Sequence, residues 1–144
     1  MNIIYKGFNE LTPGQAEDMF RLRQQVFIIE QTCLYEDIDG YDAKAGHLFF
    51  YDEEVLAAYL RIFKPGDKYK EEASLGRIIV SPKYRGTGLG PKLVKKGIEL
   101  CIGETVKIEA QAALQYYYES LGFKVVSDVY VVDDIDHIEM VLEK

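Results

Sequence analysis

The sequence predicts an α/β domain with a mixed β-sheet flanked by helices, and three observations carry that reading. Segments of strand periodicity alternate with segments of helical periodicity along the whole chain, the pattern of an α/β layout. A glycine-rich turn, Arg85-Gly86-Thr87-Gly88-Leu89-Gly90, leads from an apolar run into an amphipathic helix. The 144 residues are 48% hydrophobic and 28% charged, enough for one sizeable core in an ordinary globular chain. With no internal repeat, low-complexity tract or linker, a single domain over residues 1–144 is expected.

The elements follow in order. Residues 3–8 read as a short strand. Thr12-Pro13 offers a helix cap and a first-turn proline, after which Ala16, Met19, Phe20, Arg23, Val26, Phe27 and Glu30 recur at helical spacing, so the helix is expected to reach Glu30. Arg23 and Glu30 are the charged exceptions on that face, and each must reach solvent, pair or line a cleft. Residues 36–42 hold four acids in seven positions, a solvated loop or an attractor for a cation. A calcium loop starting at Asp37 would need a glutamate where Leu48 stands.

Residues 47–51 and 55–63 read as strands joined by the polar turn Asp52-Glu53-Glu54. Residues 65–73 form a charged, mobile loop, and residues 75–80 return as a strand. Beyond the glycine turn, Leu89, Leu93, Val94, Ile98 and Cys101 share one helical face. Residues 105–110 are a strand and residues 112–121 a helix that Gly122 ends in the left-handed conformation. Residues 124–132 and 137–142 make a closing hairpin around Asp133-Asp134-Ile135-Asp136. Of the two histidines, His47 reads as a strand-edge residue.

The turn is where chemistry concentrates. Three glycines in five residues let backbone N–H groups converge on one point at a helix N-terminus, where unpaired donors and the helix dipole favour an anion. Arg85 adds a full charge. No Gly-Lys-Ser/Thr follows, so this is no P-loop, and the first-strand context of a dinucleotide fingerprint is missing.

Net charge of -7 and a pI near 4.9 argue against nucleic acid as a partner. The local basic patch of Lys83, Arg85, Lys92, Lys95 and Lys96 suits a small polyanion instead. Cys33 and Cys101 have no metal-ligand spacing, so free structural thiols are expected, with no metal. No apolar run has membrane-spanning length and no signal pattern opens the chain, which makes the cytoplasm the default.

Arg85-x-x-Gly88-x-Gly90 resembles the Arg/Gln-x-x-Gly-x-Gly/Ala signature of the GNAT acetyltransferase superfamily. The run Val80-Ser81-Pro82 before it and Tyr118-Glu119-Ser120-Leu121-Gly122-Phe123 after it extend the likeness almost end to end. The ElaA-like branch is resembled more narrowly, through Leu22-Arg23-x-x-Val26-Phe27-x-x-Glu30-Gln31, Tyr35-x-Asp37-x-Asp39-Gly40-x-Asp42, Ala110-Gln111-Ala112 and His137-Ile138-x-Met140.

The resemblance implies a mostly antiparallel sheet and acetyl transfer from acetyl-coenzyme A to a primary amine of a small molecule or peptide. It implies a pyrophosphate seat at Arg85, Gly86, Thr87, Gly88, Leu89 and Gly90. Main-chain groups of Ile78, Ile79 and Val80 would meet the pantetheine arm, with the Val80 N–H facing the thioester carbonyl. Tyr118 corresponds to the general acid of the family. Gln111 stands where many relatives carry an asparagine, and Val106 where some carry a glutamate base, so no base transfers.

Glu30 and His137 are candidates for meeting the amine, together with Arg23 and the acidic loop. A catalytically silent coenzyme A sensor, a synthase of the acyl-homoserine-lactone type that uses an acyl carrier, and a scaffold are the other classes considered. Oligomeric state, monomer or homodimer, is left open by the sequence.

Overall fold

The computed structural model describes residues 1–144. The strands are β1 (Asn2–Gly7), β2 (Gly46–Asp52), β3 (Val55–Phe63), β4 (Ala73–Val80), β5 (Thr105–Gln111), β6 (Lys124–Val125), β7 (Tyr130–Val132) and β8 (Ile135–Glu143). The helices are α1 (Pro13–Arg23), α2 (Leu89–Leu100) and α3 (Gln115–Ser120). Strand order is β1-β2-β3-β4-β5-β8-β6, with β7 also on β8. Every neighbouring pair is antiparallel except β4 and β5.

Strand alternation sends side chains to two cores. Leu48, Leu60, Leu75, Ile108 and Met140 pack with Leu93 and Val94 of α2 on one face. Phe49, Tyr51, Tyr59 and Ile79 pack with Met19 and Leu22 of α1 on the other. A reciprocal capping box starts α1: Gln15 N–H donates to Thr12 Oγ1 at 3.1 Å, and Thr12 N–H donates to Gln15 Oε1 at 3.0 Å, an arrangement worth about 1 kcal/mol.

Several expected elements change form. The first helix stops being α-helical at Arg23, and Gln24–Glu30 widens into a π-helix, with Gln31 N–H donating to the Val26 carbonyl and Cys33 N–H to that of Ile28. Residues 65–72 are a turn tied by Gly66 N–H to the Tyr69 carbonyl at 2.8 Å. The expected helix over 112–121 is a 3-10 turn, Ala112–Leu114, followed by only six α-helical residues. Gly122 has a φ of 103°. The strand expected over 124–132 is broken into β6 and β7, and the closing turn tightens to Asp133-Asp134, both left-handed. Aspartate tolerates that conformation, which a two-residue hairpin turn requires.

The acidic loop is not a solvated patch. Its three aspartates meet three arginines from α1, β3 and β4. Arg23, fully buried, donates Nε to Asp37 and Nη1 to Asp42, each at 2.8 Å. Arg61 joins Asp39 and Asp42, and Arg77 joins Asp37 and Asp39. Three cations against three anions leave no net charge to attract a ligand. Arg23 therefore does not contact substrate, contrary to the expectation from its helical face.

His47 is likewise no edge residue, since β2 lies between β1 and β3. Its ring is fully buried, with Nε2 2.9 Å from the Asp42 carbonyl and Nδ1 2.7 Å from the Tyr59 hydroxyl. A carbonyl only accepts, so Nε2 carries the proton and Nδ1 accepts from Tyr59.

Burial penalises the charged ring and lowers the pKa of His47. Burial alone would raise Asp39 and Asp42, but hydrogen bonds and charge from Arg61 at Asp39, and from Arg23 and Arg61 at Asp42, hold both below the usual carboxylate range. All three groups have folded pKa values below their unfolded ones, so each contributes stability at higher pH that is lost on acidification. The urea midpoint is expected to fall as pH drops below about 6.5 through His47 and again below about 4 through the aspartates. A midpoint constant from pH 7 to pH 3 would contradict this. Asp42→Ala strands two buried guanidinium groups and is expected to cost about 3–5 kcal/mol in urea unfolding.

Candidate active site

Strands β4 and β5 pair only at Ala73↔Val106 and Ser74↔Lys107. Beyond Ser74 they diverge, opening a wedge through the sheet. A cleft of about 490 Å³ occupies it, lined by residues from both faces: Leu75, Leu114 and Tyr118 from the α2 side, Phe27, Glu30 and His137 from the α1 side.

One wall of the wedge is an irregular β4. Its register against β3 shifts between Tyr59↔Ile79 and Arg61↔Gly76, so Arg77 and Ile78 together oppose Leu60. Arg77 takes the bulge in the left-handed region, φ 50°, a conformation costing a residue with a Cβ about 1–2 kcal/mol. Above the bulge, Ser81 N–H donates to the Ala57 carbonyl at 2.8 Å. Antiparallel alternation then gives the Ile79 amide to Tyr59 and turns the main-chain groups of Val80, and those of Ile78 two residues back, toward β5. Ile79 therefore lends no main-chain hydrogen bond to the wedge, whereas Ile78 and Val80 do face it.

The glycine turn stands beside the cleft and not in its lining. Gly86 and Gly88 have φ of 77° and 82°, and Gly88 caps α2. The conformation at Gly88 is one that only glycine adopts without penalty, and it leaves the first amides of α2 uncovered. Thr87 closes the turn by donating Oγ1 to the Tyr84 carbonyl at 2.5 Å. At Gly90 a Cβ would stand 2.8 Å from the Tyr117 hydroxyl and 3.7 Å from Val80 Cγ2, so the helix start packs directly against the upper end of β4. The Leu89 side chain is in the core, which leaves only its backbone for a ligand.

Arg85 does not present a free charge. Its Nη1 and Nη2 donate to the two oxygens of Glu30 at 2.9 and 2.8 Å, and its Nε donates to the Val80 carbonyl at 3.1 Å. The hydrogen bond from Arg85, then its charge, lower the pKa of Glu30. Glu30 lines the cleft, as expected, but as the counter-ion of Arg85. Gln111 also lines it and donates Nε2 to Gln31 Oε1 at 3.3 Å.

Tyr118 reaches the wedge from α3 with its ring edge-on to Tyr117 and Phe123. Burial, reinforced by Tyr117, raises its pKa above the usual tyrosine value, so the hydroxyl is a proton donor at neutral pH. His137 enters from β8 opposite Gln111. Its Nδ1 lies 2.7 Å from the Ile135 carbonyl and so must be the protonated nitrogen. In the neutral ring, Nε2 keeps a lone pair.

Four cleft residues escape the motif reading: Lys68, Arg77, Glu109 and Tyr35. Glu109 could have been found, because it shares strand parity with Gln111 two residues on; its Oε2 accepts from the Tyr130 hydroxyl at 2.6 Å. Arg77 shows in sequence as a charge inside an apolar strand. Nothing local places Lys68 or Tyr35.

Residues 10–144 match the acetyltransferase (GNAT) domain family. The chain belongs to that family. It is 40% identical over 141 residues to protein ElaA of Escherichia coli K12, covering 94% of this chain and 92% of that one. The crystal structure of E. coli ElaA superimposes with a TM-score of 0.91 at 37% identity, covering 99% of this chain and 100% of that one. An acyl-CoA N-acyltransferase from Pseudomonas aeruginosa gives 0.91 at 34% identity over 99% of both chains. The sheet is thus a GNAT sheet, and the protein is an ElaA-like acyltransferase.

Exposure separates the two kinds of ion pair around the cleft. Glu30 and Arg85 side chains are 43% and 44% exposed, so Glu30→Gln is expected to change unfolding stability by less than about 1 kcal/mol. A loss comparable to that of Asp42→Ala would show the pair to be structural.

Proposed function

We propose that the protein transfers an acetyl group from acetyl-coenzyme A to a primary amine, by direct attack of the amine on the thioester. The observation that carries this reading is the wedge. It connects the glycine turn and Tyr118 on one face of the sheet with Glu30, Glu109 and His137 on the other, so a donor and an acceptor entering from opposite faces meet between β4 and β5.

The residues fit the coenzyme's chemistry. Uncovered amides at the start of α2, preceded by Gly86 and Gly88, suit a pyrophosphate. The wedge-facing groups of Ile78 and Val80, with Gln111 across from them, suit the amide-bearing pantetheine arm. Coenzyme A supplies the acyl group as an activated thioester. Arg85 would reach the phosphates only by leaving Glu30.

His137 Nε2 accepts the proton of the acceptor's ammonium, leaving a nucleophilic amine. The Val80 N–H stabilises negative charge that develops on the carbonyl oxygen as the C–N bond forms. Tyr118 donates its hydroxyl proton to the departing sulfur as the C–S bond breaks, giving an amide and a free thiol. Holding both reactants in the wedge supplies much of the rate. With the acidic loop neutralised by arginines, Glu109 and a released Glu30 are the carboxylates left to bind a cationic acceptor.

A thiol-release assay against a panel of amines tests the reading: release with at least one amine is expected. Binding of acetyl-coenzyme A with no release from any amine would favour the silent sensor. Gly88→Trp is expected to weaken acetyl-coenzyme A binding in a calorimetric titration at least tenfold, roughly 1.4 kcal/mol; unchanged affinity would remove the turn from the binding site. Tyr118→Phe should lower kcat by about 10²-fold or more with the cofactor's affinity preserved, and full activity would remove the acid role.

A further inference from the structure

We propose that Arg77, clamped by Asp37 and Asp39, is a positioning residue for acyl transfer: it holds the β4 bulge in the backbone shape that presents the Ile78 and Val80 amides to the reacting carbonyl. The proposal rests on the acyl-transfer reading above and adds a residue that the glycine, tyrosine and strand motifs do not include.

The first support is where the left-handed residue falls. Gly76 immediately precedes Arg77, yet the positive φ belongs to Arg77 and not to the glycine. A non-glycine residue keeps such a conformation only when its surroundings hold it there. Core burial does not explain the choice, because the Arg77 side chain is 21% exposed and lines the cleft.

The side chain itself is the restraint. Nε donates to Asp37 Oδ1 at 2.8 Å, and Nη2 donates to the Asp37 carbonyl at 3.1 Å and to Asp39 Oδ2 at 3.3 Å. The guanidinium lies 6.0 Å from the ring centre of Phe27 and 5.4 Å from that of Tyr35. A planar fork with several fixed donors satisfies these partners together, and an ammonium cannot.

The anchors are fixed in turn. Asp37 is held from its other oxygen by Arg23, Asp39 by Arg61, and Tyr35 donates to Asp37 Oδ1 at 3.2 Å. The clamp therefore spans from the floor of the acceptor half, where Phe27 and Tyr35 line the cleft, to the strand whose amides face the wedge. A bulge free to relax would move those amides, and displacement of about 1 Å in a reacting geometry costs on the order of 10²-fold in rate.

The test uses acetyl-coenzyme A labelled with ¹³C at the thioester carbonyl and isotope-edited infrared spectroscopy of the full-length protein. In the wild type, the carbonyl stretch should move to lower frequency on binding, reporting hydrogen bonds from β4. Arg77→Gly accepts the left-handed φ without penalty but removes the clamp, and Arg77→Lys keeps the charge without the fork. Both are expected to retain affinity for acetyl-coenzyme A and lose most of the carbonyl shift, with kcat reduced about tenfold or more and the acceptor KM little changed.

Either folded variant keeping the wild-type shift and kcat would overturn the proposal. So would an unshifted carbonyl in the wild-type complex, or failure of both variants to fold, which would make Arg77 a brace for folding alone. A wild-type protein that binds no acetyl-coenzyme A would instead bring down the acyl-transfer reading, and this proposal with it.

Discussion

Three arginines and three aspartates, buried or half-buried where helix α1, strands β3 and β4 and the loop over residues 35–42 converge, are the constraint on which the rest of this structure depends. Taking each charge out of water costs several kcal/mol, recovered only when every partner arrives in the correct geometry. Such a cluster contributes little net stability compared with an apolar core. What it supplies is specificity: the loop has one place to sit, β4 one bulge to adopt, and α1 one rotation about its axis. The imidazole of His47, held by the Asp42 carbonyl and the Tyr59 hydroxyl, extends the same order into the centre of the sheet.

This ordering matters because the sheet is deliberately incomplete. Two parallel strands that pair for only two residues forgo hydrogen bonds that a regular sheet would make, and backbone groups so exposed must find water or a ligand. The antiparallel pairs on either side, β3 with β4 and β5 with β8, hold the wedge open. The opening is thus a property of the scaffold, while the residues facing it come from loops, helix ends and alternate strand positions that can vary without disturbing the cores.

The sequence was most legible where periodicity or a turn motif acts locally. The order of strands and helices, the capping box at Thr12, the glycine turn and the left-handed Gly122 all follow from residues within a few positions of each other. The cofactor half of the cleft was legible for the same reason, since Val80, Arg85 and Tyr118 belong to short contiguous motifs. Charge pairing was not. Arg23 looked like a polar residue on a helix that should face a ligand, and the acidic loop looked like a lure for a cation, because their partners Arg61 and Arg77 lie 19 to 40 residues away in the chain. The pairing of Arg85 with Glu30 crosses 55 residues. Nor could helical spacing reveal the change from α-helix to π-helix, because the apolar stripe continues unbroken through it.

That change of helix type has its own consequence. A π-helix accommodates one residue more than the α-helix it interrupts, and here the surplus lies between the part of the helix that builds the core, ending at Arg23, and the part that builds the cleft wall, ending at Glu30. Removing a single residue from this stretch would let the helix rewind, turning everything after it by about 100° and swinging Glu30 off Arg85 while Met19 and Leu22 stayed in place. The spare residue works as an indexing step: it sets the angular phase of the acceptor wall independently of the core, so relatives that gain or lose one residue here could aim different side chains into the same wedge.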